Sequence, residues 1–365
     1  METELFYRLA LNYVESCGRS TLKEILKYSG SAKNVFESPE LWRKQISNKK
    51  NNHLNLKISD QIRKNVEVEI DKMEKQGIML CNILDSNYPV RLKRCVDSPI
   101  QFFYRGGSDF NFDRILAIVG TRNASSYGIR SVSKILNELK GSNIVTISGL
   151  AYGIDTATHE ESLNHNIPTI AVLGSGLGTI YPSINRSLSD RIIDSGGTLI
   201  TEFSYDIGPE RVNFPQRNRI IAGMADAILV AETGYKGGSI ITAHIAHTYN
   251  RDIFAIPGSI FEESFAGCNN LIRKNIAAVA TSGADILELM NWDKVAKPHQ
   301  IELFVELEED EQYLFDYVKV QPRSIDDITE YCKNFTPSKI AAILLCLELK
   351  GVITALPGKR YGCCV

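Results

Sequence analysis

The chain has 365 residues, more than one ordinary domain core of ~100–200 residues accommodates, so we expect two or three domains. Apolar residues make up 44% and charged residues 23%, a globular composition that excludes a wholly disordered chain. Lysine and arginine number 41 against 43 acidic residues, and this net charge of −2 excludes histone-like binding through overall positive charge. Any nucleic-acid site must therefore be a local cluster of cations.

Several features predict a cytoplasmic protein. No apolar run approaches the ~18–20 residues of a membrane helix, so no membrane association is expected. The opening residues Met-Glu-Thr-Glu-Leu lack the basic and apolar regions of a secretion signal. The 8 cysteines are scattered without a C-x-x-C pair, which favours free thiols in a reducing compartment over a zinc ribbon. We expect no metal and no cofactor.

Residues 1–77 are predicted to be helical, because apolar residues recur at helical spacing between glycine breaks. Two short helices around a tight turn resemble a helix-hairpin-helix or SAM-like module. The G-x-G turn with which such hairpins grip a DNA phosphate is absent, since the turn reads Cys17-Gly18-Arg19. We therefore interpret residues 1–77 as a packing module. Residues 78–110 are predicted to be a connector with extended pieces at 78–83 and 101–104.

Residues 78–290 are predicted to form the main domain, and its strongest pattern begins at residue 111. Short apolar runs rich in β-formers alternate there with helical segments; the runs are 115–120, 144–148, 169–174, 198–203, 227–232, 253–257 and 277–281. Continuous apolar runs indicate strands buried on both faces, and their alternation with helices predicts a doubly wound parallel α/β sheet. Ligands of such sheets bind beyond the carboxyl ends of the strands, so the loops there are the candidate site.

The end of the chain is predicted to be a winged helix. Residues 291–311 are interpreted as an acidic linker, and residues 312–365 contain three helical segments followed by a small hairpin. Ser324 and Asp327 resemble a capping box. Thr336 is expected to cap the third helix, with Pro337 at its first position.

The loop after the first parallel strand contains Gly120, Thr121 and Arg122. A dinucleotide-binding loop would read G-x-G-x-x-G and leave only backbone near the ligand. Here an arginine stands at the mouth, beside the start of the next helix. Helix N–H groups and a guanidinium together predict a phosphate site.

The next two strand-end loops give weaker signals. Asp155 and His159 lie four residues apart on one predicted helix, but no G-x-S-x-G nucleophile elbow occurs, so structural roles are preferred to catalysis. Residues 174–178 read G-x-G-x-G, a weak dinucleotide fingerprint whose small residues let either a backbone or a phosphate approach closely, and Ser175 is counted among the candidate contacts. No P-loop occurs anywhere in the chain.

A second arginine cluster follows the fourth strand. Pro215 is predicted to begin a helix, which places Arg217 and Arg219 in its first turn. Cations there oppose the helix dipole, and this cost indicates a bound anion. Phe214 offers a ring on which a base could stack, as in single-strand binding surfaces.

Two later loops complete the predicted site. Lys236 and Ser239 open a helix after the fifth strand, and Asn269 and Arg273 follow the sixth. His244 and His247 lie three residues apart without a third ligand nearby, so zinc is not expected. The residues predicted to contact the ligand are Gly120, Thr121, Arg122, Ser175, Phe214, Arg217, Asn218, Arg219, Lys236, Ser239, Asn269 and Arg273.

These motifs, in this order, closely resemble the bacterial DNA-processing protein A (DprA, also Smf) family. The matching segments are 120–122, 148–159, 174–176, 214–223, 238–243, 256–258 and 267–272. The resemblance is specific over residues 78–290 and looser over both ends. It implies an extended Rossmann-like domain that binds and protects incoming single-stranded DNA, forms a homodimer, and loads the RecA recombinase during recombination in naturally transformed, competent cells.

The resemblance also implies roles for individual residues. Arg122 matches the family's Gly-Ser/Thr-Arg DNA pocket, and residues 217–219 match its arginine-rich signature. It implies a DNA-binding protein and no enzymatic activity.

Two other functions remain as alternatives. A nucleotide-processing enzyme of the lysine-decarboxylase-like phosphoribohydrolase type would carry a Pro-Gly-Gly-x-Gly-Thr-x-x-Glu loop, whereas residues 235–243 lack both the proline and the glutamate. A sequence-specific regulator would read bases through the winged helix. Its third helix, however, is nearly all aliphatic and offers few groups that could contact base edges.

Overall fold

The computed structural model describes residues 2–14, 18–46, 54, 56–292, 307–320, 323–350, 352–356 and 360–363. Contacts divide the chain into two compact units, Met1–Val295 and Ala296–Val365. Cys17 of the predicted turn and residues 293–306 of the predicted linker lie outside the described residues. The domain boundaries drawn from the sequence stay predictions.

The first unit begins with helices that share a core with the sheet behind them. They are α1 (Glu4–Ala10), α2 (Arg19–Ser29), α3 (Ala32–Glu37), α4 (Glu40–Arg43) and α5 (Asp60–Gln76). Ser31 and Ser59 cap α3 and α5 by accepting backbone N–H bonds. The apolar faces of the helices meet around Ile25, Trp42 and Val66, and this cluster extends to Phe103 of the sheet.

Nine strands of the described chain form one sheet in the first unit. They are β1 (Met79–Asn82), β2 (Gln101–Gly106), β3 (Ile115–Gly120), β4 (Val145–Ser148), β5 (Thr169–Val172), β6 (Thr198–Thr201), β7 (Ala227–Glu232), β8 (Asp252–Ala255) and β9 (Ala278–Val279). Their order is β1-β2-β6-β5-β4-β3-β7-β8-β9, with β3 to β9 parallel. The predicted doubly wound parallel sheet is confirmed.

The predicted connector contributes two of these strands. β1 pairs antiparallel with β2, and β2 pairs antiparallel with β6, so residues 78–110 extend one edge of the sheet. Phe102 and Phe103 are both buried, on opposite faces of β2. This two-sided burial explains why the segment is apolar without alternation.

Helices cover both faces of the sheet. They are α6 (Val90–Lys93), α7 (Ser126–Glu138), α8 (Ile154–Asn164), α9 (Arg186–Asp194), α10 (Asn213–Met224), α11 (Gly238–Thr248), α12 (Ala266–Arg273) and α13 (Gly283–Leu289). Along β3, Ile115 and Ala117 enter one apolar core while Leu116 and Ile118 enter the other. Because β3 has β4 on one side and β7 on the other, the strand order reverses there, and a crevice opens beyond its carboxyl end.

The glycines of residues 174–178 make room for another stretch of backbone. The N–H of Gly176 donates to the carbonyl of Ile207 at 2.8 Å, and that of Gly178 donates to the carbonyl of Tyr205 at 3.1 Å. The hydroxyl of Ser175 is buried and donates to the Thr179 carbonyl at 2.6 Å. This loop therefore holds residues 204–207, and the close approach that its small residues permit is an approach of backbone.

The second unit is a winged helix. It contains α14 (Glu309–Val320), β10 (Arg323–Ser324), α15 (Ile325–Tyr331), α16 (Pro337–Leu349), β11 (Ile353–Leu356) and β12 (Arg360–Cys363), with sheet order β10-β12-β11. The predicted capping box of Ser324 and Asp327 is present, and Thr336 caps α16 with Pro337 in its first turn. Ile340 and Leu347 of α16 are buried in the core of this unit. Within the described ranges, no helix has the length and apolar character that crossing a bilayer requires.

Replacing Gly176 by alanine should destabilise the protein. A Cβ at this position would lie 2.0 Å from the Ser204 carbonyl oxygen, so the backbone must shift. We expect Gly176→Ala to lower the free energy of unfolding by about 1–3 kcal/mol in urea titrations. Gly208→Ala is the matched control because no atom lies within 4 Å of its added Cβ. Equal stability of the two variants would contradict the packing role.

Candidate functional site

A cleft of about 700 Å³ lies beyond the carboxyl ends of β3 and β7, where the strand order reverses. One wall is the loop after β3, a second is the start of α11, and the third comes from residues 209–221. Its charged lining residues are Arg122, Arg211, Arg217 and Asp155. Three cations against one anion make the cleft positive within a chain of net charge −2.

Arg122 and Phe214 form the mouth of the cleft. The guanidinium carbon of Arg122 lies 5.1 Å from the centre of the Phe214 ring, within the range of a cation–π contact. The Tyr181 ring packs against Phe214 with centroids 5.7 Å apart. Gly174 leaves space for the phenyl ring, since a Cβ there would lie 2.8 Å from it. An exposed guanidinium is thus held over an aromatic surface.

Helices α7 and α11 both begin at this edge of the sheet. They differ in which groups accept hydrogen bonds at their N-termini. At α7, Ser125 caps the helix, and the buried Glu232 carboxylate accepts hydrogen bonds from the backbone and hydroxyl of Ser125, both at 2.9 Å. A protein carboxylate therefore occupies the place where an anion was expected at the start of α7, and the predicted contribution of that helix to a phosphate site is corrected.

The start of α11 is open by comparison. Its N-cap, Gly237, has no side chain that could satisfy the first N–H groups. Ser239 is 5% exposed, and its hydroxyl has no hydrogen-bond partner among the described residues. Both residues line the cleft. Free helix N–H groups and an unpaired hydroxyl are suited to an anion.

Arg217 forms the floor of the cleft. It is 4% exposed, and its Nη1 donates to the Val172 carbonyl at the end of β5 at 2.7 Å. Burial lowers the pKa of Arg217 to about 10, although the negative charge of Asp155 raises it in part. The side chain is therefore charged at neutral pH. Gly149 passes so close that a Cβ there would lie 1.6 Å from Nη1. Arg217 thus joins α10 to β5 beneath the cleft.

Asp155 and His159 are buried under the same floor. Burial raises the pKa of the Asp155 carboxyl, and Arg217 and backbone N–H donors, including Ala151 at 3.3 Å, partly offset this rise. Burial and the charge of Arg217 lower the pKa of His159 to about 3, so the ring is neutral. Its Nδ1 lies 2.7 Å from the Thr169 hydroxyl. Asp155 is thus held by Arg217 and backbone N–H groups, and His159 by Thr169, while His159 Nε2 is buried with no hydrogen-bond partner among the described residues.

Arg219 points away from the cleft. It is 6% exposed, forms an ion pair with Glu202 and donates to the Asp97 carbonyl. Positions two apart on a helix differ in direction by ~200°, so Arg217 and Arg219 cannot share one face. Helix α10 begins at Asn213, two residues before the predicted start at Pro215, so neither arginine is in its first turn. Arg219 pairs with Glu202, whereas Arg217 lines the cleft and donates to the Val172 carbonyl.

The remaining predicted residues divide between the cleft and its surroundings. Gly120, Thr121 and Asn218 line the cleft. Lys236 is exposed outside its lining. The Asn269 amide bonds to the backbone of Gly258 at 3.3 and 3.0 Å, and Arg273 donates to the Asn270 side chain at 3.0 Å. Residues 269 and 273 therefore stabilise their own loop and helix end.

Sequence reasoning missed Arg211 and Tyr181, both of which line the cleft. Arg211 lies only three residues before Phe214, so extending the search upstream of the Phe-Pro-Gln-Arg motif would have included it. Tyr181 lies in a loop without a recognisable motif, and only the fold brings its ring to Phe214. In the described part of the chain, no three His, Cys, Asp or Glu side chains are grouped to hold a metal.

Comparison with known proteins places the chain in a family. A family model described as DNA recombination-mediator protein A matches residues 79–291, and one described as DprA winged helix domain matches residues 305–359. The chain belongs to the DprA/Smf family. It is 41% identical to the DNA processing protein DprA of Streptococcus pneumoniae over 206 residues, or 56% of this chain and 72% of that protein. It is 33% identical to the protein Smf of Escherichia coli over 306 residues, or 81% and 80% of the two chains.

Solved structures agree with this family assignment. The X-ray structure of Streptococcus pneumoniae DprA superimposes with a TM-score of 0.65 at 33% identity and covers 79% of this chain and 98% of that one. DprA of Helicobacter pylori has the same fold, with a TM-score of 0.53 at 24% identity over 59% of this chain and 96% of that one. The resemblance to the DprA/Smf family found in the sequence is confirmed.

Loss of Arg219 should destabilise this DprA-family protein, whereas loss of Arg122 should not. Among the described residues, Arg219→Ala leaves the Glu202 carboxylate, 12% exposed, with the half-exposed Arg19 at 3.5 Å as its remaining ion-pair partner. We expect the free energy of unfolding to fall by about 3 kcal/mol, as when one partner of a buried ion pair is removed. Arg122→Ala should stay within ~0.5 kcal/mol because the side chain is exposed. Urea unfolding of both variants checks this, and the opposite ranking would refute the assigned roles.

Proposed function

We propose that this chain binds single-stranded DNA in the cleft beyond β3 and β7. The observation that carries the proposal is the exposed guanidinium of Arg122 lying over the Phe214 ring at the cleft mouth. A cation that can hold a phosphate, next to a ring on which a base can stack, is the combination used by surfaces that bind unpaired strands. A duplex keeps its bases stacked on one another and leaves none free for the ring.

The rest of the cleft supports the same ligand. A phosphate held by Arg122 leaves its base beside Phe214 and Tyr181, and the open start of α11 with Ser239 accommodates a second phosphate. Arg211 adds a third cation to the lining. Arginines, hydroxyls and backbone N–H groups contact phosphate oxygens, which carry no sequence information. Binding is therefore largely independent of base sequence.

We further propose that the bound strand is protected and delivered to the RecA recombinase, with the chain acting in the cytoplasm as a homodimer. Membership of the recombination-mediator family supports this role. The DprA of Helicobacter pylori, which has the same fold, has a single-stranded DNA binding mode. Transformation of competent cells and recombination are the processes in which such delivery is needed.

The same cleft gives little support to an enzyme. Asp155 is the one acidic side chain among the described residues lining it, and that carboxylate is buried beside Arg217 and bonded to backbone N–H groups. Residues 237–243 at the start of α11 carry no glutamate that could act on a glycosidic bond. A binding protein without a catalytic residue fits these contacts better than a phosphoribohydrolase.

The winged helix is not the proposed strand-binding site. Its third helix, α16, commits Ile340, Leu344 and Leu347 to its own core. Half of its exposed positions are alanine, leucine or cysteine, which offer few groups that could read base edges. We therefore assign single-strand binding to the first unit.

Substitutions at Arg122 separate charge from geometry. The guanidinium can donate two parallel hydrogen bonds to one phosphate, which lysine cannot reproduce. We expect Arg122→Lys to weaken binding of a fluorescent oligo-dT severalfold, and Arg122→Ala to weaken it further. The alanine variant should also lower the salt slope of log K by ~0.7, about one phosphate. Fluorescence anisotropy at three salt concentrations measures both effects.

The control for this prediction is a duplex of equal length. It should bind the parent protein more weakly than the single strand. Equal affinity for duplex and single strand, or an Arg122→Ala variant that binds like the parent, would contradict the proposed site.

Delivery to RecA can be tested apart from binding. The parent protein should shorten the lag before RecA filaments form on DNA coated with single-strand-binding protein, because it holds the strand available for RecA. RecA ATPase activity reports the lag. Arg122→Ala should lose the effect at concentrations where the parent acts. An unchanged lag with parent protein that saturates the DNA would refute RecA loading while leaving strand binding intact.

A further inference from the structure

The segment that joins β6 to α10, residues 202–212, contacts both the cleft and the N-terminal helices. Pro209 and Arg211, near its end, line the cleft. Residues nearer its start pack against α2 and α5, far away in sequence. This arrangement connects the N-terminal helices, which the sequence predicts to be a packing module, to the wall of the candidate site.

Three side chains of the N-terminal helices hold the beginning of this segment. Arg19 of α2 lies 3.5 Å from the Glu202 carboxylate. Glu69 of α5 is 6% exposed, and its Oε1 accepts the backbone N–H of Tyr205 at 2.8 Å. Lys72, one turn further along α5, forms an ion pair with Asp206. Each contact bridges more than a hundred residues of sequence, so none belongs to the local conformation of the segment.

The opposite side of the segment is held by the glycine-rich loop. The carbonyls of Tyr205 and Ile207 accept backbone hydrogen bonds from Gly178 and Gly176. Residues 205–207 are therefore held between this loop and α5. The N–H of Glu210 donates to the Gly208 carbonyl and that of Asn213 to the Glu210 carbonyl, both at 3.0 Å. These hydrogen bonds connect the backbone on either side of Arg211 to residues 205–207, so the direction in which its chain runs depends on where those residues are held.

We propose that the N-terminal helical module positions the DNA-binding wall of the cleft, with Glu69 as the positioning residue that holds residues 202–212 so that Arg211 faces the strand. The inference rests on the proposed single-strand binding. Glu69 touches no DNA in this arrangement. It acts through the Tyr205 backbone by restricting the conformations of the segment before DNA binds. Binding then loses less conformational entropy.

The sign of the effect distinguishes positioning from simple electrostatics. Removing a carboxylate makes the protein less negative, so charge alone predicts tighter binding of a polyanion. Positioning predicts the reverse for Glu69→Ala, a loss of about three- to tenfold in affinity for oligo-dT, the range expected when one side chain must be ordered on binding. Glu67→Ala is the matched control, because Glu67 is exposed on the same helix and its removal changes the charge equally. It should bind as tightly as the parent or slightly more tightly.

Two further variants identify the route of the effect. Glu69→Gln keeps an oxygen that can accept the Tyr205 N–H, so it should restore most of the affinity. In an Arg211→Ala background, Glu69→Ala should cause little additional loss, since the group that it positions is gone. Additive losses, or a Glu69→Ala variant that binds like Glu67→Ala, would overturn the proposal.

Stability is measured alongside affinity by thermal unfolding. If Glu69→Ala does not fold, Asp206→Ala decides the question. The Asp206 side chain is 69% exposed, so its removal spares the core, and it too removes a negative charge while releasing the contact with Lys72. The proposal expects weaker binding, and unchanged or tighter binding would overturn it.

The pattern of variants that weaken binding distinguishes failure of this inference from failure of the proposed function. If Arg122→Ala and Arg211→Ala weaken binding but Glu69→Ala does not, the cleft binds DNA without help from the N-terminal module. If neither arginine variant weakens binding, the proposed cleft itself is wrong.

Discussion

The buried guanidinium of Arg217 donates to the Val172 carbonyl, and this hydrogen bond joins α10 to the carboxyl end of β5. A charge at this depth is stable only with polar partners, and the Asp155 carboxylate beneath it contributes an opposite charge. Gly149 allows the end of β4 to lie against the guanidinium because it lacks a side chain. The floor of the cleft therefore brings together two strand ends and two helices. The mouth residues Arg122 and Phe214 keep their positions above it.

The two arginines of the Phe-Pro-Gln-Arg-Asn-Arg stretch, residues 214–219, have different roles. Arg217 supports the cleft from below, while Arg219 on the other side of α10 pairs with Glu202 and bonds to the Asp97 carbonyl. Exposed Arg122 and Arg211 are left to meet a ligand. Buried cations with partners organise a site, whereas exposed cations can exchange water for phosphate at low cost. The number of arginines in a motif therefore does not give the number of phosphates that a surface binds.

The N-terminal helices carry no DNA-binding signature, and the influence that we propose for them on the candidate site acts through packing contacts alone. The contacts of Arg19, Glu69 and Lys72 all fall on one segment, whose far end enters the cleft. The glycines at 176 and 178 hold the same segment from behind, which gives a physical reason for a glycine-rich loop that resembles a dinucleotide fingerprint. Close packing of backbone on backbone requires glycine as much as a phosphate does.

The amino-acid sequence by itself determined the sheet, the winged helix and the family. Two-sided burial makes each parallel strand a continuous apolar run, and caps such as Ser324 act within one helical turn, so both signals are local. The sequence also identified the loop of Arg122 as part of the candidate site, because ligands of parallel sheets bind beyond the carboxyl ends of the strands. Only the tertiary structure decided that Arg219 turns to Glu202, that Glu232 accepts hydrogen bonds from Ser125 at the start of α7, and that Glu69 reaches Tyr205. These outcomes depend on the direction in which each side chain leaves its helix and on contacts between residues far apart in the chain. A local sequence pattern predicts neither.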